Sequence, residues 1–109
     1  MPYNRKGSRR ERELLEKMTG EGFIVHRIAG SGHGETAICD LIAVKEGKVF
    51  FVESKSSKNI YYPSKHSDQL QELVRVAKLA KAKPILAVKL NYKDWQMFDI
   101  SKKIPEKIV

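Results

Sequence analysis

Seventeen residues, Cys39-Asp40-Leu41-Ile42-Ala43-Val44-Lys45-Glu46-Gly47-Lys48-Val49-Phe50-Phe51-Val52-Glu53-Ser54-Lys55, constrain this chain more than any other stretch. Two apolar, β-branched arms flank Glu46-Gly47, where glycine can take the positive φ that a tight hairpin demands. With the turn there, Lys45 faces Lys48, Val44 faces Val49, Ile42 faces Phe51, and Asp40 faces Glu53. Side chains alternate along a strand, so Asp40, Ile42 and Val44 share one face with Val49, Phe51, Glu53 and Lys55. An apolar strip therefore ends in two carboxylates, with a lysine just beyond. Opposed residues have Cβ atoms roughly 4.5–5.5 Å apart, and like charges at that distance destabilise a sheet. Something positive has to offset them. Mg²⁺ would suit, as a hard cation that takes carboxylate oxygens at about 2.0–2.1 Å; Lys55 alone would also serve. Read more plainly, Asp40 is a turn residue and Glu53 with Lys55 is a surface ion pair of little energetic weight.

A third carboxylate comes from upstream. Residues Arg9 to about Gly20 have helical spacing, with Glu11, Leu14, Leu15 and Met18 on one stripe. Glu11 then points toward the sheet, unlike Glu13 and Glu16, and an ionised group there needs a partner. Its place in the first helical turn is also favoured by the helix dipole. A helix packed across the hairpin's end would bring Glu11 to Asp40 and Glu53.

The remaining elements are short and regular. Phe23–Ile28 reads as a strand, and 29–36 (AGSGHGET) as a glycine-rich loop. A second helix is expected from about Ser67 to Ala82, with Leu70, Leu73, Val74, Ala77 and Ala80 buried. Pro84 opens an apolar strand, Ile85–Val88, and Trp95–Ile100 forms the last one. The order α, β, β, β, α, β, β predicts an α/β fold: a mixed sheet of about five strands flanked by helices. The passage from Val49 through the second helix to Val88 implies a parallel pair, because that connection needs a crossover. At 109 residues the chain suits a single domain spanning 1–109.

Charge narrows the partners. Lys and Arg number 21 against 13 Asp and Glu, giving +8 and a pI near 9.7, an excess that attracts polyanions such as nucleic acid. Arg5, Lys6, Arg9, Arg10 and Arg12 cluster before and along a helix start, where the dipole disfavours cations. Phosphate contact explains them; a solvated tail is the alternative. No apolar run is long enough to span a bilayer, the basic N-terminus lacks a signal-peptide core, and one cysteine excludes an intramolecular disulfide. A soluble intracellular protein is expected.

Asp followed by Glu-x-Lys on a hairpin, after a helix with an inward Glu, resembles the PD-(D/E)xK nucleases with their restriction-endonuclease-like core. More specifically, the chain is similar to the archaeal-type Holliday junction resolvases. The likeness runs through Arg5-Lys6-Gly7 with Glu11, Glu13-Leu14-Leu15, Gly22-Phe23, Arg27 and Ala29-Gly30-Ser31. It continues through Asp40-Leu41-Ile42-Ala43, Glu53-Ser54-Lys55 and Ala87-Val88-Lys89. The resemblance implies that Glu11, Asp40 and Glu53 hold divalent metal, Mg²⁺ with Mn²⁺ as a substitute, and that Lys55 assists catalysis. It further implies that Arg5, Lys6 and Arg27 contact DNA, that Ser31 lies in a mobile loop near the site, and that a homodimer nicks four-way junction DNA in pairs. Cys39 stands where this fold often has proline, and any family element beyond Lys107 is expected to be absent. Non-catalytic junction binding, or a nuclease of the same fold acting on duplex or mismatched DNA, are the alternatives.

Other residues divide between roles. Arg9 and Arg10 join the expected DNA surface. His33 would touch DNA or polarise a water, or is a flexible loop residue. Gln69 lines the site or is a polar residue at the helix edge. His26 and His66 read as structural, Tyr61 and Tyr62 as core caps or stacking residues, and Trp95, Met97 and Phe98 as core or dimer seam.

Overall fold

A 16-residue helix, α1 (Arg5–Gly20), opens the fold and packs Leu14 and Met18, spaced i and i+4, wholly out of solvent. A computed structural model describes the backbone of residues 5–28 and 38–109, and the side chains of 9–28 and 38–109. Ser31, His33 and the rest of the glycine-rich loop lie outside the described residues, as do the side chains of Arg5 and Lys6. The helix begins a turn before the expected Arg9, since Arg5-Lys6-Gly7-Ser8 carries no apolar residue to mark a helical period.

Strands β1 (Ile24–Arg27), β2 (Leu41–Lys45), β3 (Lys48–Ser57), β4 (Lys83–Leu90) and β5 (Gln96–Asp99) form one sheet in that same spatial order. The β3–β4 pair is parallel and the others antiparallel. Between β3 and β4 run a 3₁₀ turn (Pro63–His66) and α2 (Ser67–Ala80). The fold is therefore the α/β arrangement that the sequence predicts, with the crossover where the parallel pair requires it.

The hairpin register also agrees: Lys45 pairs with Lys48, Val44 with Val49, and Ile42 with Phe51. Glu46 and Gly47 take φ values of 52° and 78°, the left-handed pair of a tight two-residue turn. The ladder stops one residue short of the expected Asp40–Glu53 pair, at Leu41 and Val52.

The helices lie on opposite faces. Leu14 and Met18 of α1 pack on Leu41, Ala43, Val52 and Ala87. On the other face, Leu70, Leu73 and Ala77 of α2 pack on Phe51, Leu86 and Val88. Helix α2 ends at Ala80, two residues before the expected Ala82, because Lys81 turns left-handed (φ 58°) to deliver Lys83 to its pairing with Phe50. Ala80 is accordingly exposed. Strand β3 lies centrally and is covered on both faces, which buries Phe51, Val52 and Glu53 in succession. No described helix is long and apolar enough to cross a membrane.

Glutamate gains nothing from a left-handed backbone that asparagine adopts more readily. Glu46→Asn is expected to stabilise the chain by about 1 kcal/mol, read as a higher urea midpoint at unchanged slope.

Candidate active site

Asp40 sits just outside β2, where the antiparallel ladder gives way. Its backbone N–H still donates to Val52 O (3.0 Å), and its carbonyl accepts from Ile28 N (3.0 Å). The side chain turns to β3 instead: Oδ2 accepts from Ser54 N (2.9 Å) and from Ser54 Oγ (3.0 Å). The carboxylate thus occupies the place of a strand carbonyl and satisfies a donor that β2 no longer reaches. Two hydrogen bonds hold the group in one orientation while it is 93% buried, with a relative exposure of 7%.

Glu53, one residue before Ser54, is only 4% exposed. Burial pushes its carboxyl from the ordinary 4.5 up to about 7, and the Asp40 charge adds to the effect. Lys55 opposes it, with Nζ 3.4 Å from Glu53 Oε2. On its other side Lys55 Nζ donates to Gln69 Oε1 of α2 at 2.7 Å. The ammonium is therefore held between a strand carboxylate and a helix amide. Gln69, the residue the sequence offers as site-lining or helix-edge, is thus the lysine's second partner.

Glu11 approaches from the opposite face of the sheet, at the place where β2 has ended. Its Oε1 accepts from Arg27 Nε of β1 at 2.8 Å. Desolvation raises its pKa first and the Asp40 charge second, while Arg27 lowers it. Glu53 also feels the Glu11 charge. The three acids thus lie within one another's field, yet no three Asp, Glu, His or Cys side chains among the described residues form a ready-made metal cluster. Asp40 and Glu53 suit a hard divalent cation by donor chemistry: oxygen-only, buried, and short of positive charge. Glu11 is engaged by Arg27.

A second pair borders the acids. Tyr61 Oη and His66 Nδ1 are 2.7 Å apart and their rings stack. Burial, then the Glu53 charge, pushes the Tyr61 hydroxyl up to about 12. Desolvation, then Lys55 and Lys65, lowers the His66 pKa. Tyr61 is a buried core cap, as the sequence suggests, whereas Tyr62 is exposed. His66 is structural in the sense expected, but His26 is exposed on β1.

A family model described as archaeal Holliday junction resolvase (Hjc) matches residues 2–107. The chain belongs to this family. Among curated relatives, the crossover junction endodeoxyribonuclease Hjc of Methanocaldococcus jannaschii is 41% identical over 88 residues, 80% of this chain and 61% of that protein. The Archaeoglobus fulgidus Hjc is 33% identical over 96 residues, 87% and 69% of the two lengths. Thus the match takes in less than two thirds of the M. jannaschii relative. A solved structure of A. fulgidus Hjc, described as a Holliday junction resolvase from an archaeal hyperthermophile, superposes with a TM-score of 0.77 at 28% identity. That superposition covers 93% of this chain and 86% of the other.

In this resolvase-family chain the structure brings Asp40, Glu53, Lys55 and Gln69 together, with Glu11 and Arg27 beside them. Arg9 is exposed on α1, while Arg10 is half-buried and pairs with Glu13 at 3.0 Å. Sequence reasoning missed Ser54, although its place inside Glu-x-Lys, one residue from each, made it the natural partner for an acid on the adjacent strand. It also missed the Tyr61–His66 bond, since a spacing of five residues across a proline turn carries no periodic signal.

A carboxyl whose folded pKa exceeds its unfolded value keeps a proton that the unfolded chain has already lost. Glu53 therefore stabilises the metal-free fold less and less as pH rises from about 4.5 to about 7. Urea denaturation of metal-free protein is expected to show that fall. Glu53→Gln should flatten it by up to about 3 kcal/mol, and an unchanged profile would contradict the burial argument.

Proposed function

We propose that this chain is a single nuclease domain spanning 1–109 that hydrolyses phosphodiester bonds of four-way DNA junctions with the help of a divalent metal, Mg²⁺ with Mn²⁺ as a substitute. The observation that carries the reading is the convergence of Asp40, Glu53 and Lys55 at the end of β2 in a chain of the Holliday junction resolvase family. The curated names of its relatives support the substrate class.

When bound, the cation supplies Lewis acidity toward the scissile phosphate and activates water. Asp40 and Glu53 would hold it, with Glu11 as a third oxygen donor if it leaves Arg27. The remaining work belongs to this chain's own groups. Ser54 fixes the Asp40 carboxylate through two hydrogen bonds, so its lone pairs do not reorient when substrate arrives. Lys55, gripped by Glu53 and Gln69, presents a fixed ammonium where phosphate oxygens gain charge during in-line attack, or orients the attacking water. The central position of β3 keeps bulk water off Glu53, which strengthens every charge interaction there.

Grip on the substrate falls to the basic residues. Arg5, Lys6, Arg9, Arg10 and Arg27 would follow phosphates, with Ser31 and His33 from the loop outside the described residues. Paired nicks require two such sites at a fixed separation, and a homodimer provides them. Apolar surface for that contact exists at Leu79 on α2, 74% exposed, and at Met97 on the edge strand β5, 37% exposed.

Labelled four-way junctions and linear duplex of equal sequence would be incubated with Mg²⁺ or with chelator. Symmetric nicks confined to the junction, lost with chelator and reduced about 100-fold or more in Asp40→Asn and Lys55→Ala, are expected. Equal cutting of duplex would leave a nuclease without junction selectivity. Tight binding without cutting in any divalent metal would leave a binding protein. Ser54→Ala is expected to weaken Mn²⁺ binding about 10-fold by calorimetry, and an unaltered affinity would refute the orienting role.

A further inference from the structure

Tyr92 lies on the turn joining β4 to β5, and it is the least economical residue in the fold. The residue is 102% exposed, and its backbone sits in the left-handed region at φ 66°. Glycine or asparagine would make the same turn with less strain, and the phenol ring buries nothing in return. Strain of this kind marks places where a residue is kept for what it touches.

The turn is firmly braced, so the ring is presented from a fixed base. Asn91 N donates to Ser57 O (3.3 Å) and Lys58 O (3.1 Å), and Lys93 N donates to Leu90 O (3.2 Å). Lys89 Nζ donates to Lys93 O. Asp94 accepts from Trp95 N at 2.8 Å and pairs with Lys17 at 3.5 Å, tying the turn to α1. The acid of the turn is thereby occupied, whereas Lys93, next to Tyr92 in the chain, and Lys58, whose carbonyl meets Asn91 N, are both exposed.

The register places this turn at the catalytic end of the sheet. Glu53 pairs with Leu86, Lys55 with Val88, and Ser57 with Leu90. The chain thus leaves β4 two residue pairs beyond Lys55, about 7 Å along the strands. An exposed aromatic flanked by lysines, a short step past the reacting groups, matches the way proteins hold unpaired or splayed nucleobases: ring on base, ammonium on phosphate.

We propose that Tyr92 is a base-stacking residue of the DNA-binding surface, with Lys58 and Lys93 on the flanking phosphates. The inference rests on the junction-nuclease reading above and adds to it a contact on the side of the sheet away from β1 and the Arg27 edge. Tyr92 touches bases near the branch point, where stacking is interrupted, and so favours branched over continuous duplex.

Equilibrium binding would be measured in chelator, using four-way junctions that carry 2-aminopurine near the branch point. Tyr92→Gly is expected to weaken junction binding about 10-fold and to abolish the fluorescence change on binding, while Tyr92→Trp retains both. A structural role would lower Tm; relief of the left-handed strain predicts instead that Tyr92→Gly holds or raises it. Wild-type affinity for the junction left intact by Tyr92→Gly overturns the inference alone. So does a change confined to oligomeric state in sedimentation, which would make the turn a protein contact. Failure of the wild type to bind the junction at all overturns the functional reading and the inference with it.

Discussion

One hydrogen bond organises the active end of this molecule: Ser54 N to Asp40 Oδ2, 2.9 Å. A regular ladder continued past Leu41 and Val52 would set Asp40 against Glu53 and give the sheet a like-charged pair without orientation. Here the ladder ends first, and the aspartate side chain takes the carbonyl's place. A backbone donor on the central strand is satisfied, and a carboxylate is fixed in the same act. Glu53 and Lys55 flank that donor on the opposite face of the strand from Val52, so their separation from Asp40 is set by β3 itself. Sites on sheet scaffolds hold their geometry because the strand has little freedom to give.

Buried like charges are unfavourable in isolation, and the fold distributes the burden. Lys55 answers Glu53 from the α2 face, and Arg27 answers Glu11 from β1. Asp40 relies on hydrogen bonds and not on a cation. A half-neutralised set of this kind would keep affinity for a positive guest, since complete pairing would leave nothing for it to offset. The elevated pKa of Glu53 reflects burial first and the neighbouring Asp40 charge second, with Lys55 opposing both.

Much of this was legible in the residues. Alternating apolar arms around Glu46-Gly47 set the hairpin register through Ile42 and Phe51, and the strand–helix–strand passage required the parallel pair. The acids of the site were marked by their placement on an apolar strip and stripe. What escaped depends on contacts that no period encodes. The β2–β3 ladder ends at Leu41 even though the Ile28 N to Asp40 O bond carries the β1 side one residue further. The first turn of α1 went unmarked because it carries no apolar residue to show a helical period, and α2 ends early because β4 must meet β3. Glu11's partner comes from an edge strand that sequence distance gives no reason to connect.

Arg27 links the two halves of the proposed function. Its guanidinium reaches from β1 to α1, where it pairs with Glu11 at 2.8 Å. A DNA phosphate near β1 would compete with Glu11 for that guanidinium, and phosphate is the better match for its forked donors. Whatever charge the phosphate drew from Arg27, Glu11 would lose, and the acids would be left less neutralised as substrate arrived. A divalent cation entering then would be held more strongly than by the chain without DNA. Substrate and metal affinity would in that case be coupled through one arginine, by the same electrostatics that makes two buried carboxylates and a half-buried third tolerable at the end of a strand.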